Sequence, residues 1–185
     1  MALFTMFEIE IGKFTANVYP LGDDDMCDVP AWQTQMTEMA KEAFIEQGVL
    51  PPFVHALCAK GDERALIILS MGDSKADDPM LARVLKHLGA YALVLSVEAW
   101  VLEVATAEEI ARYEVSGISE VENRTESLVF TCEARGQVPT MIMYPILRPT
   151  DPQGEPTLGP ALSIKGNFKP MLPAPPVWVA PMAHA

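Results

Sequence analysis

A chain of 185 residues, half of them hydrophobic, is long enough to bury a core and too apolar to be disordered throughout. Its 25 acidic residues against 13 basic ones leave a formal net charge of −12, so direct binding to nucleic-acid phosphates or anionic lipid is disfavoured. Cys27, Cys58 and Cys132 are widely spaced and form no CxxC pair, which argues for reduced thiols rather than a disulfide framework. The amino terminus lacks the basic region of a signal peptide, and Glu98 and Glu103 interrupt the best apolar run before it reaches membrane-spanning length. A cytoplasmic protein without membrane contact is expected.

Phe4 to Ile11 predicts a short edge or covering strand, and Asp23, Asp24 and Asp25 an acidic turn. Asp28 as cap and Pro30 in the first turn open a helix closed by Gly48, with Trp32, Met36, Met39, Ala40, Ala43 and Phe44 at helical spacing. Phe53–Lys60 and Arg64–Met71 predict a hairpin about Gly61-Asp62. A second helix runs from Pro79 past Leu81, Val84, Leu85 and Leu88, with Asp78 as cap, Lys86 and His87 in its last turn and Gly89 beyond.

Tyr91 to Val104 is apolar almost throughout and rich in β-branched and aromatic residues, the pattern of a central strand covered on both faces. Thr106–Glu109 has capping-box form and predicts one or two helical turns through Tyr113, and 115–126 a polar loop. Ser127–Arg135 and Val138–Arg148 predict a final hairpin about Gly136, in which Pro139 and Pro145 argue that the last strand is a sheet edge. Nine of the sixteen prolines lie in 149–185, among isolated apolar residues such as Phe168, Leu172 and Trp178. The expectation is an α+β domain over 1–148, with a mainly antiparallel sheet of about five strands and two helices packed on one face, followed by an extended Pro-rich arm over 149–185 that covers its own domain or a neighbour's.

Chemistry-bearing motifs are sparse. Gly72-Asp73-Ser74 looks like the nucleophile block of GDS-type esterases, but none of His55, His87 and His184 follows an Asp by three residues, and the oxyanion-hole blocks are missing. His55 and Cys58 sit three apart in a predicted strand and so point to opposite faces, which disfavours zinc. No phosphate-cradling glycine loop occurs. Neither a metal nor a cofactor is expected. What remains is a polar set on the central sheet: Glu98 and Trp100, which share a side with Ser96 by alternation, then Arg124 and Glu126, and Glu133 with Arg135. A carboxylate amid Ala92, Val94, Trp100 and Leu102 needs a partner, for which Arg124, Arg135 and Arg64 are the candidates.

Pro51-Pro52-Phe53-Val54-His55, Val97-Glu98-Ala99-Trp100, Asn123-Arg124-Thr125-Glu126 and Pro145-Ile146-Leu147-Arg148 resemble a loose group of small bacterial and phage proteins of uncharacterised function, over residues 48 to about 160. The resemblance implies no activity; it links Glu98, Trp100, Arg124 and Glu126 as a set.

With no catalytic constellation, the leading expectation is a non-enzymatic protein that works through protein contacts or self-assembly, as a homodimer or with another protein. The alternative is a small-molecule-binding domain or enzyme with a cleft around Glu98, Trp100 and Arg124. A third is an acidic inhibitor that mimics nucleic acid.

Overall fold

The computed structural model describes residues 7–11, 14–22, 28–72, 79–102, 108, 124–150 and 154–165. Nine strands in these segments form one antiparallel sheet, curled into a half-barrel, with two helices. In chain order they are β1 (Phe7–Ile11), β2 (Phe14–Leu21), α1 (Val29–Gln47), β3 (Phe53–Lys60), β4 (Glu63–Ser70), α2 (Pro79–His87), β5 (Ala90–Leu102), β6 (Arg124–Ala134), β7 (Thr140–Leu147), β8 (Thr157–Leu158) and β9 (Leu162–Lys165). Across the sheet the order is β1-β2-β4-β3-β5-β6-β7-β8, with β9 also on β7.

This corrects the expected five-stranded sheet with both helices on one face. β5 shows why each helix has a face of its own. Ala92 and Val94 pack with Trp32, Met36, Ala40 and Phe44 of α1, while Leu93 and Leu95 pack with Leu81, Val84 and Leu85 of α2. Strand residues alternate sides, so the two buried clusters lie on opposite faces of one sheet. A strand apolar on both sides needs cover on both, and one helix supplies each.

The extra strands have local causes. In β2, Phe14, Ala16 and Val18 alternate with Thr15, Asn17 and Tyr19, and the first three pack in the α2 layer. At the other side, β7 is not the edge that its proline suggested. Gly159 donates its N–H to the Pro145 carbonyl at 2.8 Å, so the nitrogen of Pro145, which has no hydrogen, faces the same outer side. The outer chain is interrupted there: Leu158 pairs with Ile146 and Leu162 with Met143, leaving residues 159–161 opposite 144–145. The missing donor splits one outer strand into β8 and β9 and does not leave β7 bare. Part of the segment expected to be an arm thus joins the sheet.

Helix boundaries follow their punctuation. Gly48 (φ +72°) closes α1 and returns its N–H to Phe44 O at 2.8 Å. Met39, expected in the buried stripe of α1, lies on its outer surface instead. Arg124–Glu126, expected in a loop, begin β6 and extend the pairing with β5 by three residues. The expectations about Asp23–Asp25, Asp73-Ser74, the Asp78 cap, the turn around Thr106–Tyr113 (Glu108 alone excepted), Cys27 and the stretch with Phe168, Leu172 and Trp178 fall outside the described residues.

Candidate functional site

The α1 face of β5 changes character along its length. Ala92, Val94 and Ser96 lie buried beneath α1, Glu98 is half-buried and Trp100 is 46 % exposed. Register then brings in the next strands: Trp100 pairs with Glu126, Leu102 with Arg124 and Glu98 with Leu128. Because Leu128 packs in the α1 layer, alternation puts Glu126 and Arg124 on the same face as Glu98 and Trp100. Four of the five site residues picked from the sequence therefore gather at the end of the sheet that α1 leaves uncovered.

Glu133 does not join them. It lies an odd number of residues from Leu128, so its side chain belongs to the opposite face, where it is buried. Only its carbonyl turns toward the α1 layer's own polar link: Gln33 donates its side-chain amide to Glu133 O at 2.9 Å and to Leu93 O at 3.2 Å.

Glu98 finds its partner in none of Arg124, Arg135 and Arg64, but in Arg148, just beyond β7. The guanidinium of Arg148 forks onto Glu126, Nε to Oε2 at 2.7 Å and Nη2 to Oε1 at 2.6 Å, and the same Nη2 stands 3.6 Å from Glu98 Oε2. The other Glu98 oxygen, Oε1, accepts the backbone N–H of Leu50. One carboxylate thus ties the exit of α1 to the central strand and, through Arg148, to the outer strands. The Arg148 hydrogen bonds hold the Glu126 carboxyl below the usual range and raise the guanidinium's own pKa, although the cluster's partial exposure keeps its energy small.

Arg124 goes elsewhere. Its guanidinium carbon lies 4.1 Å from the centre of the Trp100 ring, stacked on it as a cation on a π face. The contact holds a large exposed aromatic in one place, so less side-chain entropy is lost when something docks on it. With both Glu98 oxygens already engaged, this geometry suits a structural joint beside a presented aromatic better than a free acid or base.

This assigns Glu98 a measurable role. Glu98→Ala is expected to cost about 2 kcal/mol, because it strands the N–H of the buried Leu50, whereas Glu98→Gln keeps an acceptor there and costs about 1 kcal/mol or less. Urea unfolding of both variants checks this. Equal losses would mean that the charge toward Arg148, and not the Leu50 hydrogen bond, carries the contribution.

Arg148 and His55 were missed in the sequence. Arg148 gave no local signal, since it meets Glu98 only if β6 lies between their strands. His55 is buried on the α1 face, edge-on to Phe53 with ring centroids 4.9 Å apart, and its Nδ1 has no hydrogen-bond partner. Burial pushes its pKa down to about 4. Ser96 Oγ, one strand over and also buried, is likewise unpartnered. Among the described residues no three His, Cys, Asp or Glu side chains gather as a metal site requires, and no helix is long and apolar enough to cross a membrane. Comparison with protein-family models, with curated proteins and with solved structures finds no match.

Proposed function

We propose that the protein acts through protein contacts, as a self-associating module of the cytoplasm, and that its contact face is the open sheet end around Trp100. The observation that carries this is Trp100 itself: nearly half exposed, yet fixed by Arg124 at 4.1 Å. Tryptophan and arginine are the residues most enriched among those that dominate interface energies, and a rigid exposed pair of them loses little freedom on docking.

The charge pattern favours a second copy as the partner. A chain of net charge −12 repels itself over most of its surface. The Trp100 end is different, with Arg124 and Arg148 set among Glu98 and Glu126, two charges of each sign. A two-fold contact apposes a patch with its own copy, and a patch of mixed sign satisfies itself. Val49, 56 % exposed, adjoins Leu50, which bonds Glu98, and adds apolar surface beside the cluster. The free, buried thiols of Cys58 and Cys132 suit a reducing compartment.

Light scattering after size exclusion, over a range of loading concentrations, tests the proposal. The full chain is expected to run as a dimer and Trp100→Ala to weaken the association by at least roughly tenfold, the usual loss for a central tryptophan. Trp100→Ala should keep its unfolding midpoint, since the ring lies outside both buried clusters. A monomeric full chain, or a dimer indifferent to Trp100→Ala, would overturn it.

A further inference from the structure

Between the first turns of α1 and the β6–β7 hairpin lies a pocket of about 340 Å³, within the range of small-ligand sites. Its floor is apolar: Ala134 and Ile142 lie beside the free thiol of Cys132, and Val138 adds an exposed apolar rim. The hydroxyls of Thr37 and Thr140 bond that thiol and oppose the burial that raises its pKa.

The α1 wall of this pocket has a single hydrogen-bonding sense. Thr34 donates its hydroxyl to Pro30 O at 3.0 Å, and Thr37 donates its own to Gln33 O at 2.9 Å. Gln33 spends both amide hydrogens, on Glu133 O at 2.9 Å and Leu93 O at 3.2 Å. A carbonyl only accepts, so these directions are fixed, and all three side chains keep nothing but lone pairs for the pocket. The Cys132 thiol takes one of the two lone pairs on Thr37 and leaves the other. Glu38, one turn beyond Thr34 on the same helix face, adds a carboxylate. Lys41 bonds both of its oxygens, at 3.0 and 2.8 Å, but Lys41 itself lines the neighbouring pocket beyond Tyr144 and not this one. Among the described residues no Lys or Arg side chain lines the pocket. Asp28, at the start of α1, offsets the positive end of the helix dipole there.

We infer that this pocket binds a compact organic cation rich in N–H donors, an alkylguanidinium, donating to Gln33, Thr34, Thr37 and Glu38 with its stem over Ala134 and Ile142. A guanidinium spreads its donors over a plane and gives up water more readily than an ammonium, which suits acceptors set along more than one helical turn. The chain's net charge of −12 draws such a cation in. No residue of the Trp100 cluster takes part, so the assignment is independent of that face and of the oligomeric state.

Butylguanidinium is the probe, with butylurea as its uncharged counterpart of the same shape, both titrated calorimetrically into the full chain. The cation should bind one per chain and at least about tenfold tighter than the urea, the margin that charge-assisted hydrogen bonds supply. Glu38→Gln should narrow that margin and leave butylurea binding where it was. Thr34→Arg, which sets a guanidinium on the same wall, should abolish binding of the cation. Both positions are exposed on α1, so both variants should keep the unfolding midpoint of the unmodified chain. Equal affinity of the unmodified chain for the cation and the urea would overturn the proposal without recourse to any variant. So would a failure of butylguanidinium to bind at millimolar concentration, or binding of the cation that survives Thr34→Arg unchanged.

Discussion

Between pH 7 and pH 4 the folded protein is expected to lose about 3 kcal/mol of stability through His55 alone. The imidazole is buried between the α1 layer and the sheet, where a charge finds no water and Nδ1 finds no partner. Burial holds its folded pKa at about 4, against an ordinary value of 6.5. In that window the unfolded chain takes up a proton that the folded chain refuses, so acid draws the equilibrium toward unfolding. Stability from this source is intact above pH 6.5 and falls as the pH drops. It is fully lost below about pH 4, where the accumulated difference corresponds to roughly 3 kcal/mol. Urea unfolding of the unmodified chain and of His55→Leu at both pH values isolates the effect, since titrating carboxylates are common to the two. The unmodified chain should lose about 3 kcal/mol more over the interval. His55→Leu should also match or exceed it in stability at pH 7, because it removes a buried nitrogen that has no partner. Parallel losses in the two proteins would mean that the imidazole is not held neutral by burial.

His55 also marks where sequence reasoning reached its limit. The alternation of Phe53–Lys60 placed His55 and Cys58 on opposite faces, and they are: one beneath α1, the other in the α2 layer. Alternation cannot say which face is dry to its edge. Both helices and the β3–β4 and β6–β7 hairpins were legible, because caps, Gly61-Asp62, Gly136 and long apolar runs are local signals. The two-sided cover of β5 was legible as well: Leu93, Leu95 and Val97 are as apolar as Ala92 and Val94. Which helix covers which side was not, since that depends on crossovers spanning the sheet. β2 carried a period-two pattern from Phe14 to Tyr19 that Asn17 and Pro20 obscure. The outer pair β8 and β9 were hidden by the very proline composition that made the segment look like an arm.

The candidate site divides in the same way. Glu98 and Trp100 could be set on one face by alternation, whereas Arg124 and Glu126 were expected in a loop and were linked to them only by the resemblance. The pairing of β5 with β6 is what puts all four on one face. Glu133 was grouped with them although its odd position excludes it, so parity alone would have removed it. Arg148 needed the whole strand order. It lies 50 positions from Glu98 in the chain and contacts Glu98 across the width of β6, so no window of sequence contains the pair.

Gly89→Ala should be the most damaging single-methyl change at any of the sheet's tight turns, costing about 4 kcal/mol. Gly89 has φ +72°, a region that costs an L-residue roughly 1–2 kcal/mol. A Cβ there would also stand inside the van der Waals surface of the Ala59 carbonyl oxygen, which is backbone in the middle of the sheet and cannot swing aside. Relief requires β3 and β5 to separate, and that breaks the Ala59 N–H to Gly89 O bond of 3.1 Å, worth about another 1 kcal/mol. The same approach sets the bulge that follows, where Leu57 pairs with Ala92 but Cys58 with Ala90, and Tyr91 is the extra residue. Gly61→Ala is the control. Gly61 has φ +62° and open space where a Cβ would go, so it carries the backbone cost alone, about 1 kcal/mol. Denaturant midpoints for the two variants therefore separate the conformational cost of a left-handed residue from the cost of forcing two central strands apart. Equal destabilisation by the two alanines would show that the close approach of Gly89 to Ala59 contributes nothing, and that the bulge around Tyr91 is held by the side chains on its two faces instead.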